Sequence, residues 1–71
     1  MKAKVRLDTQ KDIVKFVNIA SKIQTPVYLT DGNNFTVSAK SLLGAIYTME
    51  WEEIYLVCDG EHYHDFYAYI I

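Results

Sequence analysis

The side chains best suited to nucleophilic or metal chemistry lie near the C-terminus: Cys58, Asp59, Glu61, His62, His64 and Asp65. Thiolate, imidazole and carboxylate groups are the usual ligands of zinc. His62 and His64, however, are two residues apart, which separates them by about 200° on a helix. They share an ion only if this segment is a strand or a frayed end. The pattern therefore favours solvated residues at a helix end over a metal site, and predicts no cofactor.

A nucleophilic pair of Cys58 with a histidine is disfavoured by the residues around the thiol. A reactive cysteine needs a stabilised thiolate, which neighbouring cations supply. No lysine or arginine lies near Cys58 in the sequence, and Asp59 follows it directly. The sequence therefore predicts a protein that is not an enzyme.

Composition narrows the class of protein further. The 71 residues predict one domain over 1–71, and 51% of them are apolar, enough for a packed core. The net charge of −2 lacks the clustered positive face that nucleic acid requires, and no apolar run reaches the ~18 residues of a membrane span. The single cysteine suits a reducing compartment, and the N-terminus lacks a signal-peptide pattern. We expect a cytoplasmic protein.

The first half of the chain predicts a strand, a helix and a hairpin. Residues 2–7 alternate polar and apolar, which indicates a half-buried strand. Thr9 is a suitable helix N-cap, and Asp12 completes a capping box. The helix should run to about Lys22, with an apolar face made by Ile13, Phe16, Val17 and Ala20. Two β-rich runs, 27–30 and 35–38, flank Asp-Gly-Asn-Asn, which is hairpin-turn chemistry.

The second half predicts a short helix, a strand and a last helix. Ser41 opens an amphipathic helix, and residues 53–58 form a fourth strand. From Glu61, an α-helical spacing places Tyr63, Phe66, Tyr67 and Ile70 on one face. The order β-α-β-β-α-β-α predicts an α+β domain whose helices cover one face of a mainly antiparallel sheet.

Residues 38–44, Ser-Ala-Lys-Ser-Leu-Leu-Gly, are similar to a motif of HPr, the histidine-containing phosphocarrier of the bacterial sugar phosphotransferase system. Residues 16–23 resemble the end of that family's first helix, residues 53–57 its fourth strand, and residues 59–61 the turn into its last helix. The likeness covers nearly the whole chain. It implies an HPr-like open-faced sandwich, with a four-stranded antiparallel sheet and three helices on one face.

The resemblance fails where the family carries its phosphate-accepting histidine. Thr9 stands at that position, Lys11 at the family's arginine and Asp12 at its proline, and no histidine occurs in the first 61 residues. A phosphothreonine ester lacks the transfer potential of phosphoimidazole, and Asp8 and Asp12 would repel a phosphoryl group. The resemblance thus implies an HPr-like protein without phosphohistidine relay. A working phosphocarrier ranks third among the predicted functions.

Ser41 corresponds to the serine that a dedicated HPr kinase phosphorylates in many Gram-positive bacteria. Serine is also among the best helix N-caps, and the short helix begins here. The two roles are compatible, and the sequence leaves open whether Ser41 is a cap alone or a regulatory site as well.

The apolar residues of the short helix, Leu42, Leu43 and Ile46, correspond to the surface with which the HPr family docks its partners. Their alternative role is in the core, but a helix this short cannot bury all three. The many aromatic residues of the second half also allow a homodimer. We therefore predict a regulatory or partner-binding protein, whose partners are proteins such as phosphotransferase-system enzymes or an HPr kinase. The alternative is an interaction or structural module that kept the fold and left the pathway.

Overall fold

The computed structural model describes residues 2–71, so Met1 of the predicted 1–71 domain lies outside the described residues. The strands are β1 (Ala3–Val5), β2 (Tyr28–Thr30), β3 (Thr36–Ser38) and β4 (Ile54–Val57). The helices are α1 (Gln10–Ser21), α2 (Leu42–Tyr47), a short 3₁₀ turn (Thr48–Glu50) and a C-terminal 3₁₀ helix (Gly60–Tyr69). Each strand is shorter than its β-rich run, and the element order agrees with the prediction.

The sheet has the strand order β1-β4-β2-β3, and all three pairings are antiparallel. The register places one side chain from each strand in a row on the core side: Ala3, Leu56, Leu29 and Val37. The neighbouring row on the opposite, more open face contains Lys4, Tyr55, Thr30 and Thr36. The predicted α+β class and open-faced sandwich are confirmed. Among the described residues, none belongs to a helix both long and apolar enough to cross a bilayer.

Helix α1 covers the apolar face of the sheet because its buried residues recur at helical spacing. They are Ile13, Phe16, Val17 and Ala20, as predicted. Lys22 is the C-cap, where its backbone N–H donates to the carbonyls of Ala20 and Ile19. The Phe16 ring lies 4.5 Å, centroid to centroid, from Phe66, so α1 and the C-terminal helix meet at the centre of the core.

The predicted α-helical periodicity of the last helix is wrong. Gly60–Tyr69 is a 3₁₀ helix with a kink at Phe66, and its period of three places Tyr63, Phe66 and Tyr69 against the core. Tyr67, assigned to the buried face by the α-helical spacing, is 81% exposed. The end of the chain is held to β1 by two backbone hydrogen bonds, from Arg6 N to the Tyr69 carbonyl (2.8 Å) and from Ile71 N to the Lys4 carbonyl (2.9 Å).

The predicted turn between β2 and β3 is held by two side chains, of which Thr30 bonds through Oγ1 to the backbone at both ends of the turn. Asp31 Oδ1 accepts backbone hydrogen bonds from Asn33, Asn34 and Phe35 at 2.8, 3.0 and 3.1 Å. These bonds, that from Asn33 first, hold the pKa of Asp31 below its ordinary value, because they stabilise the carboxylate. Gly32 takes a φ of +81°, which a residue with a Cβ rarely adopts. The turn therefore depends on both Asp31 and Gly32.

Candidate functional site

The start of α1 is already occupied by the protein's own groups. Thr9 Oγ1 accepts a hydrogen bond from Asp12 N at 3.1 Å, which confirms the predicted cap. The Asp12 carboxylate reaches back to Asp8 N at 3.3 Å, one residue earlier than the Thr9 N–H of a standard capping box. The positive end of the helix dipole thus faces the carboxylate of Asp12. Lys11, at the family's arginine position, is exposed.

Neither histidine takes the place of Thr9. His62 lines a groove with residues near the opposite end of α1: Ile19, Lys22 and Ile23. A helix of 12 residues is about 18 Å long, so this groove is far from the N-cap. The His64 side chain is 78% exposed, and its Nε2 lies 3.2 Å from Asp65 Oδ1. Within residues 2–71, no hydrogen bond or ion pair joins an imidazole to the start of α1; the imidazoles contact Glu61 and Asp65.

His62 is surrounded by carboxylates. Its Nδ1 lies 3.1 Å from Asp65 Oδ2, and its Nε2 lies 3.7 Å from Glu61 Oε1. Ligand atoms of Asp59, Glu61 and His62 lie within 4.8 Å of one another, so the structure groups His62 with two acids rather than with His64. That these residues hold no metal stays a prediction.

The surroundings of Cys58 do not activate its thiol. Cys58 is half-buried, and burial raises its pKa, with the charges of Asp59 and Asp65 adding to the effect. A raised pKa keeps the thiol protonated at neutral pH, and the thiol form is a poor nucleophile. The closest polar partners of the His62 ring are carboxylates rather than this thiol.

Ser41 is the N-cap of α2, as predicted. Its side-chain oxygen accepts a hydrogen bond from Gly44 N at 3.1 Å, and its carbonyl accepts one from Ala45 N at 2.9 Å. The residue is exposed, so its hydroxyl is reachable from solvent. Phosphorylation at this position stays a prediction.

We expect Ser41→Ala to lower the free energy of unfolding by about 1 kcal/mol, because Gly44 N loses its capping acceptor. In a domain of this size that loss lowers Tm by roughly 4–8 °C, measured by circular dichroism. The matched control is Ser21→Ala at the exposed end of α1, expected to stay within about 0.5 kcal/mol of the wild type. Equal effects of the two changes would contradict a capping role.

Helix α2 presents an exposed apolar face, here named the α2 surface and made of Leu42, Leu43, Ile46 and Tyr47. Their exposed fractions are 45%, 71%, 39% and 60%. The helix instead buries Ala45, and Thr48 just beyond it is also buried and donates from Oγ1 to the Ala45 carbonyl at 2.6 Å. The prediction that this helix cannot bury all of Leu42, Leu43 and Ile46 is confirmed, and all three are exposed. That they bind a partner stays a prediction.

Next to the α2 surface is a groove of about 540 Å³, here named the Trp51 groove and lined by Phe35, Val37, Tyr47, Glu50 and Trp51. A smaller depression lined by Leu43, Ile46, Tyr47 and Glu50 joins the groove to the α2 surface. Phe35 is 61% exposed. This groove was not predicted from the sequence. Phe35, directly after a polar turn and before an edge strand, was the available signal.

The α2 surface and the Trp51 groove form one continuous apolar area beside the Ser41 cap. Exposed leucine and aromatic side chains bind other molecules by excluding water, and they move no proton or phosphoryl group themselves. The arrangement therefore suits binding of a partner better than turnover of a substrate. No protein-family model, no curated protein and no solved structure matches this chain.

Proposed function

We propose that this chain is an HPr-like, partner-binding regulatory domain of the cytoplasm that does not relay phosphoryl groups on histidine. The observation that carries the proposal is the exposed α2 surface. Two of its residues, Leu42 and Leu43, belong to the stretch that resembles an HPr motif. Its partners are proteins of the phosphotransferase system or an HPr kinase.

The docking role is supported by how the apolar side chains are arranged. Single exposed apolar residues are ordinary, whereas a contiguous patch marks an interaction site. Leu43 and Ile46 line one depression together with Tyr47, and Leu43 is 71% exposed. A water-exposed leucine on a short helix contributes little to folding, so its value is in binding.

The absence of relay chemistry is supported by the start of α1. Thr9 uses its hydroxyl oxygen to cap the helix. Asp8 and Asp12 place negative charge where a phosphoryl group would have to approach. Bringing a phosphoryl dianion to the N-terminus of α1 is therefore unfavourable. A helix N-terminus without these carboxylates would attract the dianion.

Regulation at Ser41 would act through the α2 surface. The Ser41 oxygen now accepts from Gly44 N, and a phosphate oxygen keeps the ability to accept that bond. The modification adds negative charge beside Leu42 and Leu43 without requiring α2 to refold. It would therefore alter which partners the α2 surface binds.

Two experiments test the proposal. In the first, the protein is incubated with an HPr kinase and ATP, and intact mass spectrometry is expected to find one added phosphoryl group in the wild type and none in Ser41→Ala. If the wild type gains no phosphoryl group, the proposed regulation at Ser41 is contradicted.

In the second experiment, binding to the kinase and to phosphotransferase-system enzymes is measured for Leu43→Glu, with Val14→Glu as the control. Val14 is an exposed apolar residue of α1, 44% exposed.

We expect Leu43→Glu to weaken binding by about 30-fold or more, as loss of an interface hot spot does, and Val14→Glu to leave it unchanged. Equal weakening by the two variants would contradict docking through the α2 surface. Binding to none of these proteins would favour the alternative, an interaction module outside the pathway.

A further inference from the structure

The charges of this protein are divided between its two halves. All seven lysine and arginine residues fall within residues 1–40, together with three of the nine acids. Residues 41–71 contain the other six acids and no lysine or arginine. The Trp51 groove takes most of its lining from the second, acidic half.

Two carboxylates at the groove take part in no ion pair within the described part of the chain. Glu50 lines the groove itself, and Glu52 lines an adjoining depression that also contains Phe35 and Trp51. Neither forms an ion pair with any residue from 2 to 71. The neighbouring Glu53, by contrast, pairs with Lys4 at 3.2 Å between Oε2 and Nζ.

We propose that the Trp51 groove binds a segment of a partner protein that carries an apolar side chain next to lysine or arginine. The apolar side chain packs against Phe35 and Trp51, and the cation approaches Glu50 and Glu52. This inference rests on the proposed function as a partner-binding domain, and it specifies the chemistry of the partner.

Charge complementarity selects this occupant over a second copy of the chain. A two-fold dimer through the groove would bring Glu50 and Glu52 of both copies into one interface, and like charges repel. The same carboxylates would repel the phosphates of nucleic acid or of anionic lipid. The same carboxylates instead attract a cationic partner toward the groove before contact, which raises its rate of association.

Tryptophan fluorescence reports binding at this groove directly, because Trp51 is the protein's single tryptophan. Peptides that bind the wild-type protein are selected from a display library of random short sequences and resynthesised without tryptophan. Their affinities are then measured from the emission of Trp51. We expect the selected peptides to pair lysine or arginine with an adjacent aromatic or aliphatic residue.

The double variant Glu50→Gln/Glu52→Gln tests the charges. We expect it to weaken peptide binding by about tenfold, as loss of two exposed ion pairs would. The control Asp59→Asn/Glu61→Gln removes the same total charge from two exposed residues of another surface, and it should leave the affinity unchanged. Equal weakening by the two variants would show a dependence on net charge alone and would overturn the inference.

Other outcomes separate this inference from the proposed function. Uncharged peptides that change Trp51 emission and bind the double variant as well as the wild type would leave docking intact and overturn the cationic partner. Failure to select any peptide that changes Trp51 emission would also overturn it. Self-association in sedimentation that Phe35→Ala removes would assign the groove to a second copy instead.

Discussion

Phe66→Ala is expected to remove about 3–5 kcal/mol from the free energy of unfolding. The Phe66 side chain is fully buried, and its ring packs 4.5 Å from that of Phe16, so the change leaves a cavity between α1 and the C-terminal 3₁₀ helix. A 71-residue domain has a total stability of roughly 3.5–10 kcal/mol. The variant should therefore lose about a third of that stability or more and unfold at a markedly lower urea concentration, which circular dichroism would measure.

The matched control for this change is the next residue. Tyr67→Ala should alter the free energy of unfolding by less than about 0.5 kcal/mol, because Tyr67 is 81% exposed. An α-helical face would bury both residues, whereas the 3₁₀ helix buries Phe66 alone. Comparable losses from the two variants would contradict the 3₁₀ arrangement.

The second large effect is expected at the turn between β2 and β3. Gly32→Ala should lower the free energy of unfolding by about 1–2 kcal/mol, because φ at Gly32 is +81° and a Cβ in this region clashes with the following carbonyl. The added Cβ would also lie 3.0 Å from Cε2 of Tyr55, a tight contact that requires the Tyr55 ring to move by a few tenths of an ångström. Lys2 Nζ lies 5.2 Å from the centre of the Tyr55 ring, so a shift of that ring would disturb this contact as well.

A second glycine supplies the control. A Cβ built on Gly60 meets no atom within 4 Å, and Gly60 does not have a positive φ. Gly60→Ala should therefore be neutral or stabilise the fold by up to about 1 kcal/mol, since alanine lowers the entropy of the unfolded chain. Thermal unfolding of the two variants side by side measures the difference. An equal loss of Tm in both would contradict the strained turn.

The features predicted correctly from the sequence are those decided by neighbouring residues. Thr9 and Ser41 cap their helices through bonds that span only three positions. The apolar face of α1 and the turn at Asp31 and Gly32 likewise depend on residues that are close together in the sequence. The C-terminal helix is different: its α-helical spacing was misleading because contacts of Phe66 with Phe16, and of the chain end with β1, hold it in the 3₁₀ form.

Much of the candidate site could not be predicted because it is assembled from distant parts of the chain. Phe35 and Trp51 are 16 positions apart and meet only because β3 lies beside α2 and the segment that follows it. The shortness of α2 predicted that some of Leu42, Leu43 and Ile46 stay exposed, so part of the α2 surface could be predicted from the sequence, whereas the exposure of Tyr47 could not. The position of Glu50 and Glu52 beside the apolar lining of the Trp51 groove required the tertiary structure.

Loss of phosphoryl relay is the central functional claim, and phosphoenolpyruvate with the first enzyme of the phosphotransferase system tests it most directly. The protein is incubated with both, next to an active HPr phosphocarrier as the positive control, and intact masses are compared. We predict no added phosphoryl group, because Thr9 caps α1 and His62 lies toward the opposite end of that helix. Transfer of a phosphoryl group to His62 or His64 would contradict this prediction.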